Sequence, residues 1–136
     1  GSDVLSGDAG DDRLSGGDGN DRLTGGTGAD RLTGGDGADR FIFARPGETA
    51  SGSRHDLVTD FASGIDRIDL AVIDAKSTVA GNQAFHFIGS TAFGDHAGEL
   101  RFARGTLQGD LNGDGTADFS IRLAGVAHVA EADFIL

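Results

Sequence analysis

The stretch from Gly16 to Ile42 reads Gly-Gly-Asp-Gly-Asn-Asp-Arg-Leu-Thr, Gly-Gly-Thr-Gly-Ala-Asp-Arg-Leu-Thr, Gly-Gly-Asp-Gly-Ala-Asp-Arg-Phe-Ile, which is one nine-residue unit written three times. A weaker copy covers residues 7–15, where Asp8 replaces the second glycine, and residues 1–6 fit the end of another. Each unit has a carboxylate at the same phase, and these are Asp3, Asp12, Asp21, Asp30 and Asp39. A fixed period predicts that the units share one conformation and stack on each other.

Each unit divides into a six-residue turn and a three-residue strand. The turn glycines permit φ > 0 and leave their carbonyl oxygens unshielded. Calcium prefers six to eight hard oxygen ligands, which carboxylates and bare carbonyls supply. The predicted metal ligands are therefore the five repeat aspartates together with the turn glycines, which are Gly7, Gly10, Gly16, Gly17, Gly19, Gly25, Gly26, Gly28, Gly34, Gly35 and Gly37.

Two units make one coil, so that alternate units stack on the same side. Asp3, Asp21 and Asp39 would then line one edge, while Asp12 and Asp30 line the other. The middle residue of each strand points inward, which gives an apolar ladder of Leu14, Leu23, Leu32 and Phe41. Carboxylates at the ~4.8 Å strand spacing repel each other without a cation. Because the ladder is thin, we expect folding to be coupled to calcium binding.

The phase of the carboxylates continues past the last full repeat. Glu48 lies nine residues after Asp39, where the next carboxylate is expected, and Asp56 follows shortly after. We predict that these two acids complete the final metal sites. The alternative is that they are ordinary solvated acids of a loop.

Composition narrows the function classes. The chain of 136 residues has a formal net charge of −11, which disfavours nucleic acid and anionic membranes as partners. It has no cysteine, and therefore neither disulfides nor a thiolate metal site. No apolar run approaches the roughly 20 residues of a transmembrane helix, and no amino-terminal signal peptide is seen. The absence of methionine predicts a piece of a longer protein.

The chain has two parts of different texture. Residues 1–44 hold the repeats, whereas residues 45–136 carry most of the aromatic and β-branched residues. Alternating apolar positions in residues 84–88, 99–102 and 118–123 predict half-buried strands. The predicted fold class is all-β, with a parallel β-roll capped by a short-stranded β-sandwich and packed as one continuous module, because stacked repeats need a cap.

The repeat is similar to the RTX nonapeptide G-G-x-G-x-D-x-U-x. The segments Asp56–Phe61, Gly64–Leu70, Gly98–Phe102 and Gly113–Phe119 resemble the region after the β-roll in serralysin-type metalloproteases (peptidase family M10). The resemblance implies a right-handed parallel β-roll that binds several Ca²⁺ ions, follows a catalytic domain, and aids folding and type I secretion to the outside of the cell. The protease signature H-E-x-x-H-x-x-G-x-x-H is absent, so the resemblance implies a non-catalytic module.

The carboxyl-terminal residues also resemble a family feature. An acid followed by apolar residues forms the export tail of the family, and the matching residues here are Asp133, Phe134, Ile135 and Leu136. The alternative is an ordinary final strand, and the two roles are compatible. Scarce cytosolic calcium would leave the repeats unfolded for export, whereas abundant external calcium would drive folding.

Two weaker patterns leave alternatives open. One pattern resembles the start of an EF-hand loop but lacks the glutamate at position 12. It would form either an extra metal site or a metal-free hairpin. The candidate ligands are Asp110, Asn112, Asp114 and Asp118. In the other, Arg13 and Arg31, like Arg22 and Arg40, stack on alternate units. These arginines would bind an anionic polysaccharide, as in a module of an alginate epimerase, or simply be solvated surface.

Overall fold

The computed structural model describes residues 1–48 and 54–136, which form two sheets around a shared apolar core. Every neighbouring pair of strands in the first sheet is parallel. This five-stranded sheet consists, in spatial order, of β1 (Val4–Ser6), β3 (Arg22–Thr24), β5 (Arg40–Ile42), β7 (Arg67–Asp69) and β12 (Phe134–Ile135).

The second sheet mixes the two kinds of pairing. In spatial order it consists of β2 (Arg13–Asp18), β4 (Arg31–Asp36), β6 (Asp56–Val58), β11 (Phe119–Leu123), β10 (Thr106–Asp110), β9 (Glu99–Ala103) and β8 (His86–Phe87). The pairs from β2 to β11 are parallel, β11–β10–β9 is antiparallel, and β8 is parallel to β9. The first seven strands alternate between the two sheets, which is the path of a parallel β-roll and confirms the predicted fold class.

The register of the roll follows from the repeat. Leu5 pairs with Leu23 and Leu23 with Phe41 in one sheet, while Leu14 pairs with Leu32 in the other. Because two nine-residue units make one coil, each apolar residue lies beside the residue 18 positions away. Strands β2 and β4 are six residues long instead of the expected three, because they extend into the glycines of the next unit.

Burial of the apolar ladder increases along the chain. Leu23, Leu32 and Phe41 are fully buried, and Val58 and Ile68 continue the two ladders by pairing with Leu32 and Phe41. Leu5 and Leu14, at the amino-terminal end, are only partly buried. Full burial of such a side chain stabilises by about 1.5–3 kcal/mol. The first coil therefore receives the least stabilisation from apolar packing.

The carboxyl-terminal part prolongs both sheets of the roll. The three segments predicted as strands coincide with β8, β9 and β11 to within a few residues at their ends. Strand β10 joins β9 in a hairpin whose turn is Arg104 and Gly105. Phe85 and Phe119 pack edge to face beneath these strands, with ring centroids 5.7 Å apart. No helix within residues 1–48 and 54–136 has the length and apolar character needed to cross a membrane.

Candidate metal sites along the roll

The repeat aspartates form two columns, one along each edge of the roll. The backbone N–H of Asp3 donates to Oδ1 of Asp21 over 2.7 Å, and that of Asp21 donates to Oδ1 of Asp39 over 2.8 Å. On the other edge, the N–H of Asp12 donates to Oδ1 of Asp30 over 2.8 Å. Each carboxylate is therefore fixed by the aspartate one coil earlier. The two edges hold the residues expected from the sequence.

The columns continue beyond the repeats. The N–H of Asp30 donates to Oδ1 of Asp56 over 2.8 Å, and that of Asp39 donates to Oδ1 of Asp66 over 2.9 Å. Asp66 was not among the residues predicted from the sequence. A signal for it exists, because Gly64-Ile65-Asp66-Arg67-Ile68 matches the end of the repeat unit, Gly37-Ala38-Asp39-Arg40-Phe41.

The structure places Glu48 outside both columns. Counting in nines puts Glu48 above Asp30, but Asp56 occupies that place, 26 residues after Asp30 instead of 18. The chain makes a longer excursion here through a 3-10 turn, Pro46–Glu48, in which Oε2 of Glu48 accepts the N–H of Ala44 over 2.8 Å. Burial is the main cause that raises the pKa of Asp30 and Asp56, and the negative charge of Glu48 adds to this effect. Glu48 therefore lies near this column without belonging to it.

The second carboxylate oxygen of the repeat aspartates is buried and lacks a hydrogen-bond donor. Within residues 1–48 and 54–136, this holds for Oδ2 of Asp12, Asp21, Asp30 and Asp39. A buried ionised oxygen without a partner carries a penalty of several kcal/mol unless a cation compensates it. Four such atoms at equivalent positions therefore indicate places built for positive charge.

The first glycine of each unit makes room for that oxygen. A Cβ atom placed on Gly7, Gly16, Gly25 or Gly34 would lie within 3.0 Å of Oδ2 of the aspartate five residues later. At Gly16 it would also lie 2.7 Å from the carbonyl oxygen of Gly34, one coil further on. The bare face of Gly16 is therefore approached by a carboxylate oxygen of its own unit and by a carbonyl oxygen of the next coil.

At the other glycine positions of the turn, the backbone conformation itself favours glycine. Those at the second and fourth positions of the unit have φ between 97° and 140°, which L side chains rarely adopt. A Cβ on Gly26, Gly28, Gly35 or Gly37 would also collide with a carbonyl oxygen of the preceding coil. The carbonyls of one turn thus point at the next turn. Asp8 takes the second position of the weak unit and adopts φ 69°, a left-handed conformation that aspartate tolerates better than most residues other than glycine.

The donor set fits a hard cation such as calcium. Within the described ranges, no group of three or more His, Asp or Glu side chains is arranged to hold a metal ion. The repeat turns instead place a carboxylate oxygen beside main-chain carbonyl oxygens, as at Gly7 and Gly16, so these donors are all oxygen. Calcium accepts such mixed sets, whereas zinc sites need nitrogen or sulfur ligands.

Burial perturbs the titration of four carboxylates at the carboxyl-terminal end of the columns. It is the main cause that raises the pKa of Asp30, Asp39 and Asp66, and it raises the pKa of Asp56 to about 7. An acid with a raised pKa makes the folded state hold protons more tightly than the unfolded chain. Without a cation, stability therefore falls as the pH rises from about 4 to about 7. Bound positive charge would oppose this loss.

Where the repeats end, hydrogen bonds within the protein take the place of contacts with a further coil. Oδ2 of Asp66 accepts the N–H of Ala62 over 2.8 Å, so both oxygens of this carboxylate have donors. The carboxylate of Asp60 accepts the N–H groups of Gly34 and Gly35 over 2.9 and 2.8 Å. The last turn is thus closed by side chains, which is a different arrangement from that of the repeat turns.

The loop from Asp110 to Asp118 satisfies its own polar atoms. Asp110 is fully buried and accepts the N–H groups of Gly113 and Gly115 over 2.7 and 2.8 Å. Asp118 accepts the N–H of Leu111, Asn112 accepts that of Asp114, and Asp114 accepts that of Thr116. These bonds explain the acidic hairpin without a metal. The extra metal site stays a prediction.

The carboxyl-terminal residues form the last strand of the five-stranded sheet. Phe134 pairs with Ile68, and Ile135 pairs with Asp69. The buried carboxylate of Asp133 accepts hydrogen bonds from the Ser63 hydroxyl and from the N–H groups of Gly64 and Ala130, over 2.6 to 2.8 Å. Burial alone would raise the pKa of Asp133, but these hydrogen bonds lower it. Asp133 therefore fastens the tail to the body of the module.

The arginines of the repeats form one row on each sheet, and both rows continue beyond the repeats. Arg22 pairs with Arg40 and Arg40 with Arg67 on the five-stranded sheet, where Arg40 also forms a salt bridge with Asp69. The corresponding row on the seven-stranded sheet runs through residues paired in register, which are Arg13, Arg31, Leu57 and Arg122.

Coils of glycine turns and short strands, with a carboxylate column on each edge, define this chain as a β-roll repeat module. The chain belongs to the family described as Peptidase M10 serralysin C terminal, whose model matches residues 10–136. It is therefore a repeat module of a carboxyl-terminal type and not a catalytic domain. No match is found among curated proteins.

Solved structures that share the fold include two subunits of one enzyme. The AlgE6R3 subunit of the mannuronan C5-epimerase from Azotobacter vinelandii is 26% identical with a TM-score of 0.61, and the alignment covers 98% of this chain and 77% of that one. The AlgE6R2 subunit of the same enzyme is 28% identical with a TM-score of 0.58, and the alignment covers 98% of this chain and 91% of that one.

Proposed function

We propose that the chain is a calcium-binding module that folds when calcium occupies its stacked turns. The observation that carries this proposal is the set of four equivalent buried oxygens, Oδ2 of Asp12, Asp21, Asp30 and Asp39, without hydrogen-bond donors. These aspartates, with carbonyls of the turn glycines, would hold the ions, and the cation would compensate the buried charge. Asp56 extends the ligand column on one edge.

Calcium would stabilise most strongly the end of the roll that packing stabilises least. Leu5 and Leu14 are only partly buried, and neighbouring coils bring like charges close together. Binding free energy released on folding adds directly to stability. We therefore propose that the repeats are unfolded at low calcium concentration and fold at the concentration outside the cell.

The physiological setting of this switch is the export of a larger protein. The family match supports a parent that carries a separate catalytic domain, for which we propose a serralysin-like protease. We further propose a type I secretion route, an extracellular location, and a role of residues 133–136 in recognition by the export machinery. The module would then assist folding and stability of the parent after secretion.

A calcium titration followed by far-ultraviolet circular dichroism tests the proposed switch. At pH 8, above the raised pKa of Asp56, we expect little β signal in EDTA. A cooperative gain should follow at submillimolar to millimolar Ca²⁺. Mg²⁺ is the control, since it demands a smaller octahedral shell and keeps its water. A full β signal in EDTA that calcium leaves unchanged would contradict coupled folding.

A second candidate function is binding of an anionic polysaccharide. It is favoured by the arginine rows and by the similarity to subunits of an enzyme whose name specifies mannuronan. We expect calcium-loaded protein to bind alginate oligomers, and Arg31→Ala to weaken this binding if the row takes part. Arg45→Ala is the matched control, because Arg45 is exposed but lies outside both rows. Equal affinities of the two variants would exclude the row.

A further inference from the structure

A basic pocket lies on the outer face of the seven-stranded sheet, where β9, β10 and β11 run side by side. Its volume is about 680 Å³, and it is lined by side chains of β9, β10 and β11 and of the segments beside them. The lining includes Arg101, Arg104 and His55, and none of the described residues that line it is acidic. In a protein with a net charge of −11, the described lining of this concave surface is thus free of acidic side chains. Such a surface favours an anionic ligand.

Arg101 is held in a defined orientation within this pocket. Its Nε and Nη2 atoms both donate to Oε1 of Gln108, over 3.0 and 2.8 Å, and its guanidinium lies 4.7 Å from the centre of the Phe93 ring. Gln108 and Arg101 face each other across β10 and β9. An arginine whose plane is fixed by a hydrogen-bond pair and an aromatic ring loses little freedom when it binds a carboxylate.

Arg104 occupies a position that the turn alone would not select. It is the first residue of the two-residue hairpin between β9 and β10, with φ 53°, and Gly105 follows with φ 76°. Positive φ at both central positions belongs to a turn that favours Asn-Gly or Gly-Gly. A bulky side chain is strained in this conformation, and strain of this kind gathers at functional sites. The side chain of Arg104 lines the pocket, so a role in ligand binding would account for an arginine in this strained conformation.

We propose that this pocket binds a carboxylate-bearing sugar unit of an acidic polysaccharide, with Arg101 and Arg104 as the ligands of the carboxylate. Hydroxyl and amide groups of Ser90, Thr106 and Gln108 line the same pocket and suit a ligand rich in hydroxyl groups. Among the described residues of the lining, the apolar side chains are Ala92 and Ala103, and none is a large apolar anchor of the kind on which peptide and protein partners depend.

The pocket is continuous with the arginine row of the same sheet. Thr106, which lines the pocket, pairs with Arg122, and this register continues through Leu57 to Arg31 and Arg13. A chain of sugars that begins in the pocket can therefore cross the strands along this row, at a spacing of ~4.8 Å per strand. The inference rests on the second candidate function and adds the position of its principal site.

The decisive experiment compares Arg104→Asn with Arg101→Gln in the full calcium-loaded chain. Affinity for short alginate oligomers is measured by calorimetry at two salt concentrations, with a neutral maltose oligomer and an oligoglutamate peptide as further probes. We expect each variant to lower the alginate affinity by about tenfold or more, which corresponds to one strong charged contact. Arg104→Asn should at the same time raise the melting temperature, because asparagine suits the turn. Arg45→Gln is the control and should change neither quantity.

Each outcome decides between the alternatives. Loss of affinity in Arg104→Asn with a raised melting temperature supports a binding role, because a merely structural residue would not separate the two. If alginate binds and both variants bind it with unchanged affinity, the pocket is not the binding site, while the proposed polysaccharide function stands. If folded, calcium-loaded protein binds no alginate, both fail. Tighter binding of oligoglutamate than of alginate would overturn the choice of ligand class in favour of an acidic peptide.

Discussion

Alanine at Gly34 should severely impair calcium-driven folding, although alanine at most exposed glycines stabilises a protein. The new Cβ atom would lie within 3.0 Å of both Oδ2 and Cγ of Asp39, so the carboxylate or the backbone must move. Overpacking of this kind costs about 1–3 kcal/mol. Displacing a proposed ligand should also raise the calcium midpoint by about tenfold, or about 1.4 kcal/mol.

Gly47→Ala is the matched control for this substitution. Neither Gly34 nor Gly47 has a positive φ, and a Cβ atom at Gly47 would meet no atom within 4 Å. Gly47→Ala should therefore stabilise slightly, by about 0.4–1 kcal/mol, through the unfolded state. Calcium titrations and thermal melts of the two variants measure the contrast. If Gly34→Ala behaves like Gly47→Ala, the close approach of the Asp39 carboxylate to Gly34 has no role in the site.

Asp30→Asn should have effects of opposite sign with and without calcium. In calcium-free protein, burial raises the pKa of Asp30, which means that folding disfavours its charge. Asparagine retains an oxygen that can accept the N–H of Asp12 and removes this charge, so the calcium-free fold should become more stable. In the presence of calcium the variant lacks a charged ligand, and the calcium midpoint should rise by about tenfold or more.

Asp36→Asn provides the control, because Asp36 is exposed on β4 and its substitution changes the net charge by the same amount. It should leave the calcium midpoint nearly unchanged. Folding of the calcium-free chain in EDTA by a stabilising osmolyte, and chemical unfolding in saturating calcium, give the two free energies for each variant. A decrease in stability of Asp30→Asn in both conditions would mean that the carboxylate has a structural role and no specific link to calcium.

The repeat predicted the roll because its information is local and periodic. Every nine residues specify a turn, a strand and the edge on which the aspartate lies, so counting was sufficient from Asp3 to Asp39. Counting failed at Glu48, where a 3-10 turn interrupts the period and Asp56 takes the place above Asp30. Asp66 was overlooked because its unit keeps only the last half of the repeat.

The carboxyl-terminal part was harder to predict because its contacts are distant in sequence. Alternating residues indicated the strands, but no local pattern shows that β11 lies between β6 and β10. The same holds for the pocket, where His55 joins side chains of β9 and β10 from about 50 positions away. Asp133 illustrates the point as well. Its sequence position suggests an export tail, whereas its hydrogen bonds to Ser63 and Gly64 appear only in the folded chain.

The placement of the final strand makes export a one-way event under the proposed function. Once β12 is paired with β7 and Asp133 is buried, the backbone that a transporter would read is already committed to the sheet. The tail can serve either as an address or as a strand, but not as both at the same time. If residues 133–136 are the export signal, folding outside the cell would hide that signal, and a secreted molecule could no longer be recognised by the transporter that exported it.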